Sequence, residues 1–303
     1  MNRRKKKFNI QYHAQFTSET RDNRLRVWLA KPADSIYQKI DKFLVSPKPK
    51  SSYKDDQGNQ ILYFDFRDFR KLDLSFDISV NLYQKEINFK SKNLTLLRSK
   101  SLQRFLKKEN FLEQTTKVKK MAIEITKDKK LLYEKIEAIF NFVVSNFKYC
   151  HPVKKRGVKN LKLDRLKGDC GEYSSLLVAM LRSLNIPSRN QTGFVVYPGK
   201  KKVMEHGWAS VYIRPFGWVD LDAQYASLDK KNNQKYFGQR SDFRISFVNG
   251  FNIPVRPKIS SGFQAKYWRR VGLPFSSNSV QTLQPIFFVS KRKIKFRESV
   301  KLV

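Results

Sequence analysis

The residue with the clearest potential for covalent chemistry is a cysteine placed where a turn becomes a helix. Cys170 lies in the segment GDCGEY (168–173), directly before apolar residues that recur at helical spacing. A helix N-terminus carries roughly half a positive charge. This charge lowers the pKa of a thiol and favours the nucleophilic thiolate. We therefore expect Cys170 to be a nucleophile, although a lone cysteine can also be an inert, buried small side chain.

A thiol nucleophile needs a nearby base, and the base needs a third group to orient it. The sequence offers three histidines. His13 lies in an alternating segment that predicts a surface strand, and His151 follows Cys150 at the predicted end of a helix. His206 opens a predicted strand behind a lysine-rich loop, so we favour His206 as the base.

The orienting acid is expected on the strand that contains Trp218. Asp220 and Asp222 both lie on this strand and point to the same face, because strand side chains alternate with a period of two. Spacing alone does not choose between them. Glu172 and Glu205 are weaker candidates because each is expected to face solvent.

The N-terminal part of the chain reads as a series of strands joined by short turns. Strands are predicted at 8–16, 25–30, 61–66 and 74–89, while residues 35–45 are ambiguous and would suit a helix. These elements indicate a small β-sandwich or sheet domain.

The pattern changes near residue 95, where charged, helix-compatible segments begin at 101–111 and 115–125. Asp128 is predicted to cap a further helix. After the cysteine helix, strands are predicted at 192–197, 206–213 and 218–222, and later at 243–248 and 286–289, with mostly loop between these last two. We divide the chain into a β-rich domain (1–95), a catalytic core (96–250) and a C-terminal extension with a basic end, expected to pack on the core (251–303).

Four motifs in this order resemble the transglutaminase-like core domain. They are GDCGEY (168–173), LNIPSR (184–189) with Gly193 after it, HGWASVY (206–212) and GWVDLD (217–222). The resemblance implies an α+β fold: a papain-like transglutaminase core, with helices packed on an antiparallel sheet, preceded by a small β-sandwich-like domain as in bacterial members.

The resemblance also implies a Cys-His-Asp triad of Cys170, His206 and Asp222. Asp222 is chosen over Asp220 because the family's aspartate comes four residues after the tryptophan of its Gly-Trp motif. One departure is Ala223, which stands where the family often has proline.

Such a triad implies acyl transfer through a thioester formed from a carboxamide or a peptide bond of a protein or peptide substrate. Water would resolve the thioester in a cysteine protease or amidase, and a lysine amine would resolve it in a transglutaminase. Hydrolysis is slightly favoured because this acid-poor sequence has no acidic cluster typical of a calcium site. We expect no cofactor and no metal, since the chain has two cysteines and lacks paired zinc ligands.

The alternative function is a non-catalytic basic binding protein. The 303-residue chain has a net charge of +36, which attracts nucleic acid and acidic proteins. Local basic clusters occur at 3–7 and 291–297, where they could act as contact arms, although lysine and arginine are spread along the whole chain. A host with generally lysine-rich proteins would give the same composition. The sequence has no long apolar run and no apolar core after its basic start, so we expect no membrane span, no secretory signal and a cytoplasmic location.

Overall fold

A computed structural model describes residues 5–84, 87, 89, 94–97, 99–197, 199, 201–238 and 243–303. The strands, in chain order, are β1 Lys5–Ser18, β2 Arg24–Lys31, β3 Gln38–Ser46, β4 Ser51–Lys54, β5 Gln60–Arg67, β6 Lys71–Tyr83, β7 Lys148–Tyr149, β8 Lys167–Gly168, β9 Ser188–Tyr197, β10 Lys202–Ile213, β11 Gly217–Leu221, β12 Arg244–Asn249, β13 Ile253–Pro254, β14 Ser279–Val280, β15 Ile286–Ser290 and β16 Ile294–Leu302. The α-helices are α1 Thr116–Thr126, α2 Leu132–Asn146, α3 Cys170–Ser183, α4 Ala223–Leu228 and α5 Lys266–Val271. Short 3-10 helices lie at Lys100–Leu106, Val158–Asn160 and Lys230–Tyr236.

The chain divides into two compact units. Unit 1 contains residues 1–84, 192–206 and 242–303, and unit 2 contains residues 85–191 and 207–241. The division falls inside β9 and inside β10, so each of these strands contributes its two halves to different units. The boundary predicted at 90–100 falls partly on residues 90–93 and 98, which lie outside the described residues, as do 85, 86 and 88 at the end of the strand predicted at 74–89.

Unit 1 is built from antiparallel sheets, in the orders β16-β1-β6-β3 and β15-β2-β5-β4. Along β1 the apolar side chains at alternate positions are buried and the polar ones are exposed, as the sequence predicts. Phe16 of β1 contacts Phe288 of β15 edge to face, with ring centroids 5.0 Å apart. The two sheets therefore share one hydrophobic core, and the prediction of a β-rich N-terminal region is confirmed.

The helix considered for residues 35–45 is wrong, because this segment forms β3. Phe43 is paired with Ile78 of β6, and its ring stacks on Phe76 with centroids 5.5 Å apart. A register shift between Ile40 and Lys42 interrupts the strict alternation of a strand. This irregularity explains the misleading pattern, and pairing with β6 decides the backbone conformation.

The C-terminal residues complete the sheets of unit 1. β15 pairs with β2 and β16 pairs with β1, so the last two strands of the segment 251–303, which was expected to pack on the core, lie beside N-terminal strands. Lys5 is paired with Tyr83 at one end of β1, whereas Ser18 is paired with Ile294 at the other. At about 3.3 Å per residue, the ends of β1 are roughly 40 Å apart. The described part of the basic cluster at 3–7 is therefore well separated from the cluster at 291–297.

Unit 2 is organised around α3, whose apolar side chains are buried together with most of its polar ones. Helices α1, α2 and α4 pack against α3. The buried guanidinium of Arg182 near the end of α3 donates to the Ser188 carbonyl at 2.9 Å and to Glu109 at 2.7 Å. β10 and β11 pair antiparallel, with Ala209 opposite Leu221. The expected combination of helices and an antiparallel sheet is confirmed.

The helix after Asp128 begins later than predicted, at Leu132, and Asp128 is not its cap. Glu134 accepts hydrogen bonds from the backbone N–H groups of Lys130 and Leu131, at 3.1 and 3.0 Å. The Glu134 carboxylate, within the first turn, thus satisfies the N–H groups that Asp128 was expected to cap. Across the described ranges of the chain, no helix is both long and apolar enough to cross a membrane.

Candidate active site

Cys170 is the first residue of α3, which places the thiol at the N-terminal end of a buried helix. The residue before it, Asp169, is the N-cap, and its side chain accepts a hydrogen bond from the N–H of Gly171 at 2.9 Å. The N–H of Cys170 itself belongs to the first turn, whose N–H groups have no partner within the helix. The local sequence explains this arrangement, because aspartate directly before an apolar periodic run is a helix start signal.

A buried cluster of charges surrounds this cap. The guanidinium of Arg156 donates to both oxygens of Asp169, at 3.0 and 2.8 Å, and to Glu172 at 3.0 Å. The Nδ1 atom of His151 lies 3.2 Å from Asp169, with the imidazole largely exposed. These contacts hold the turn before Cys170 to the loop that contains His151 and Arg156.

The expectation that Glu172 faces solvent is wrong, since its side chain is 1% exposed. Burial and, to a smaller extent, the charge of Asp169 raise the pKa of Glu172 to about 7, although the charge of Arg156 opposes the shift. Burial also disfavours the ionised form of Asp169, but the hydrogen bonds and charge of Arg156 outweigh this and lower its pKa to about 2. One guanidinium thus keeps Asp169 ionised, while burial favours the protonated form of Glu172. Glu205, the other weak candidate, is exposed on β10.

The sulfur of Cys170 accepts a hydrogen bond from the backbone N–H of Gly207 in β10. Burial raises the pKa of the Cys170 thiol to about 12, and the charges of Asp169 and Asp222 act in the same direction. By area the Cys170 side chain is partly buried. The expected lowering of the thiol pKa by the helix N-terminus is therefore outweighed by desolvation and by two nearby carboxylates.

Asp222 directly follows β11 and is the N-cap of α4, where Oδ1 accepts a hydrogen bond from the N–H of Tyr225 at 3.1 Å. Its carboxylate is buried and lies close enough to Cys170 to raise the pKa of the thiol. The Asp222 carboxylate therefore lies within electrostatic range of the Cys170 thiol inside unit 2. Asp222 does not continue the strand as predicted, because β11 ends at Leu221.

Asp220 has different surroundings. It lies within β11 opposite Ser210, and its charge acts on Arg189 of β9. The Arg189 guanidinium lies 4.0 Å from the ring centroid of Trp218 and donates to Ser210 at 3.3 Å. Burial lowers the pKa of Arg189 to about 9, while Asp220 opposes the shift. Asp220 thus acts as a charge partner for a partly buried cation.

His206 is 6% exposed and lies in β10. It is joined through its own peptide bond to Gly207, the residue whose N–H contacts the Cys170 sulfur. The division between the units falls at this peptide bond. His13, by contrast, lies in β1 beside Asp73, with 2.9 Å between Nε2 and Oδ1.

The sequence interpretation missed Arg156 and the roles of Asp169 and Glu172. Asp169 carried a recognisable helix-cap signal. Arg156 carried none, because it lies thirteen residues before its partner in a lysine-rich loop. Over the ranges that the structure describes, no group of three or more histidine, cysteine or acidic side chains is arranged to hold a metal ion.

Comparisons with known protein families and solved structures agree with this fold. Residues 119–223 match the model of the Transglutaminase-like superfamily. The chain is 27% identical over 144 residues to the uncharacterized protein YebA of Bacillus subtilis (strain 168), an alignment that covers 39% of this chain and 20% of YebA. The chain thus spans about one fifth of the length of this curated relative.

The fold is similar to the crystal structure of a candidate cysteine protease from Cytophaga hutchinsonii, with a TM-score of 0.59 and 15% identity, covering 99% of this chain and 93% of that one. A weaker likeness is to the periplasmic domain of TgpA from Pseudomonas aeruginosa, with a TM-score of 0.40 and 14% identity over 72% of this chain and 92% of that one.

Proposed function

We propose, from the transglutaminase-like superfamily domain that residues 119–223 carry, that this protein is a thiol-dependent enzyme of the transglutaminase-like type. Cys170 is its nucleophile and acts on a carboxamide or peptide carbonyl of a protein or peptide substrate. The observation that carries this proposal is the placement of Cys170 as the first residue of a buried helix. Its sulfur accepts a hydrogen bond from the N–H of Gly207, and the Asp222 carboxylate lies within electrostatic range.

His206 is proposed as the base. A thiol whose pKa is raised stays protonated at neutral pH, so the base removes the proton as the sulfur attacks the carbonyl carbon. The proton then passes from the imidazolium to the leaving nitrogen, the C–N bond breaks, and a thioester remains on Cys170. The backbone N–H of Cys170, at the first turn of α3, is a candidate donor to the oxyanion of the tetrahedral intermediate.

Asp222 is proposed to orient His206 and to stabilise its positive charge. Two observations support Asp222 over Asp220. The charge of Asp222 acts on the Cys170 thiol, whereas the charge of Asp220 acts on Arg189. An orienting carboxylate has to lie near the nucleophile's base, and Asp222 is the one of the two whose charge reaches the nucleophile.

Water is the proposed acceptor of the acyl group, which makes the enzyme a cysteine protease or amidase. Transfer to a lysine amine would instead give a transglutaminase, with the same three residues in the same roles up to the thioester. The cytoplasmic location expected from the sequence likewise stays a prediction.

A single assay separates these acceptors. A glutamine-containing protein is incubated with and without a fluorescent primary amine, while ammonia, peptide release and amine incorporation are followed. We expect ammonia or peptide release without incorporation. Incorporation of the amine would assign transfer instead of hydrolysis.

The matched controls are Cys170→Ala and Cys150→Ala, which each remove one thiol. We expect the first to abolish every readout and the second to retain them. Full activity of Cys170→Ala on each substrate would contradict the assignment of Cys170 as the nucleophile. No activity of the wild-type protein on any substrate would favour the alternative, a non-catalytic basic protein that contacts nucleic acid or acidic partners. Nuclease-treated purification then shows whether nucleic acid is retained.

A further inference from the structure

Unit 1 contains a partly open cavity of about 350 Å³ beside α5, β15 and β16. Its volume is within the range of about 300–1,000 Å³ that is typical of small-molecule sites. The cavity is lined by Gln264, Lys266, Tyr267, Arg270, Phe288, Ser290, Arg292, Lys293, Ile294, Lys295 and Phe296. The C-terminal basic cluster at 291–297 thus forms one wall of a cavity and not a free arm.

The lining is strongly cationic. Five of its eleven residues are lysine or arginine and none is acidic, whereas 62 of the 303 residues in the whole chain are lysine or arginine. The lysine-rich composition would place about two basic residues among eleven. The cavity therefore concentrates positive charge beyond the background of the chain.

Some of this charge is neutralised by neighbours, and some is available to a ligand. Arg292 pairs with Asp22, and Lys295 lies 3.5 Å from Glu19. Within the described ranges, no carboxylate forms an ion pair with Lys266, Arg270 or Lys293, and all three side chains are exposed. Three cations around one cavity favour a ligand that carries more than one negative charge.

Aromatic rings form the apolar part of the lining. Tyr267, Phe288 and Phe296 pack on one another, with ring centroids 4.7–5.7 Å apart, and Tyr267 and Phe296 remain partly exposed. Arg270 lies over the Tyr267 ring at 5.5 Å. Cationic side chains beside exposed aromatic surface are the combination that binds both the phosphates and the bases of nucleic acid.

From this combination we infer that the cavity binds a nucleotide. Lys266, Arg270 and Lys293 contact its phosphates, and its base packs against Tyr267 and Phe296. The exposed amide of Gln264 carries both donors and an acceptor, which suit the edge of a base. The nucleotide is either a free nucleoside polyphosphate or the end of a single strand, since both present the same chemistry.

The test uses the full chain and two probes, a fluorescent ATP analogue and a short fluorescein-labelled single-stranded oligothymidylate. The charge variant is Lys266→Ser with Lys293→Ser. The matched control is Lys48→Ser with Lys54→Ser, which removes two exposed lysines of unit 1 outside the cavity. All four positions are exposed, and a thermal melt verifies that each variant is folded.

We expect the charge variant to bind at least about tenfold more weakly and the control to change by about twofold or less, because charge-assisted contacts to phosphate are among the stronger hydrogen bonds. Tighter binding of the ATP analogue assigns the free nucleotide, and tighter binding of the oligonucleotide assigns the strand end. Equal weakening in both variants, or no binding of either probe, overturns the inference.

A competition with inorganic tripolyphosphate tests the contribution of the base. Stacking against aromatic side chains adds to the affinity for each base, so we expect tripolyphosphate to compete about tenfold less well than ATP. If tripolyphosphate competes as well as ATP, the cavity is an anion site without preference for a nucleotide, and the assignment is wrong.

Discussion

The guanidinium of Arg156 donates to both carboxylate oxygens of Asp169, at 3.0 and 2.8 Å. Asp169 precedes Cys170 and caps its helix through the N–H of Gly171. The pair therefore fixes the turn from which the thiol projects. A planar guanidinium suits this role, because it matches both oxygens of a carboxylate at once.

Replacing Arg156 with methionine is expected to destabilise the protein by about 3–5 kcal/mol, because two buried carboxylates lose their common cation. Lysine at this position should recover part of the loss, since it restores charge but not the paired geometry. Chemical denaturation measures the free energy of unfolding of both variants. The control is Arg165→Met at an exposed ion pair with Asp164, for which we expect a change of about 0.5 kcal/mol or less.

The free energy of unfolding should change with pH because Glu172 titrates at a higher pH in the folded protein than in the unfolded chain. Its pKa is raised from 4.5 to about 7 by burial, so the folded state holds this proton more tightly than the unfolded chain. The stabilisation is fully present below pH 4.5 and is lost as the pH rises through 7. We expect Glu172→Gln to remove this loss, which is on the order of 3 kcal/mol. Parallel pH dependences of stability for the variant and the wild type would contradict the assignment.

The reactivity of Cys170 in the free protein should follow a raised thiol pKa. In a Cys150→Ser variant, Cys170 is the remaining thiol. Its rate of alkylation by iodoacetamide should keep rising as the pH increases from about 7 to about 10, because only the thiolate reacts. A plateau below about pH 8 would show a thiolate already formed in the resting protein, in disagreement with the burial of the sulfur.

Asp222→Asn removes the negative charge of this side chain and keeps an oxygen that can cap α4. Asparagine also caps helices, so α4 should persist. The loss of a nearby negative charge should lower the pKa of Cys170 and shift its alkylation profile to lower pH. Activity should fall by about 10²–10⁴-fold if Asp222 orients the base. The comparison variant, Asp220→Asn, should affect activity by about tenfold or less, and an equal loss would remove the distinction between the two acids.

Gly193→Ala should be destabilising by more than about 2 kcal/mol, because the added methyl would lie 1.9 Å from the carbonyl oxygen of Ile245. The backbone of β9 thus approaches β12 too closely for a side chain. Gly199→Ala is the control, since nothing lies within 4 Å of its added methyl. Equal melting temperatures for the two variants would argue against this close approach.

Strand periodicity was predictive where strands are regular. The alternation in β1 and the apolar run in β15 were read correctly, because burial of one face or of both leaves a direct mark on the sequence. β3 was misread because a register shift breaks its alternation. The start of α2 was misplaced because Glu134, within the first turn, satisfies donors that Asp128 was expected to cap.

The sequence by itself predicted Cys170 at the start of a helix and His206 on a strand, and it left Asp220 and Asp222 as alternative acids until the family resemblance favoured Asp222. The helix and strand predictions follow from short-range patterns of residue type. Only the tertiary structure decided the electrostatics around the thiol. Residues distant along the chain, such as Gly207 and Asp222, are brought near the thiol by folding, and the desolvation of a sulfur depends on everything packed around it. That is why the sequence predicted a lowered pKa for Cys170 and the structure gives a raised one.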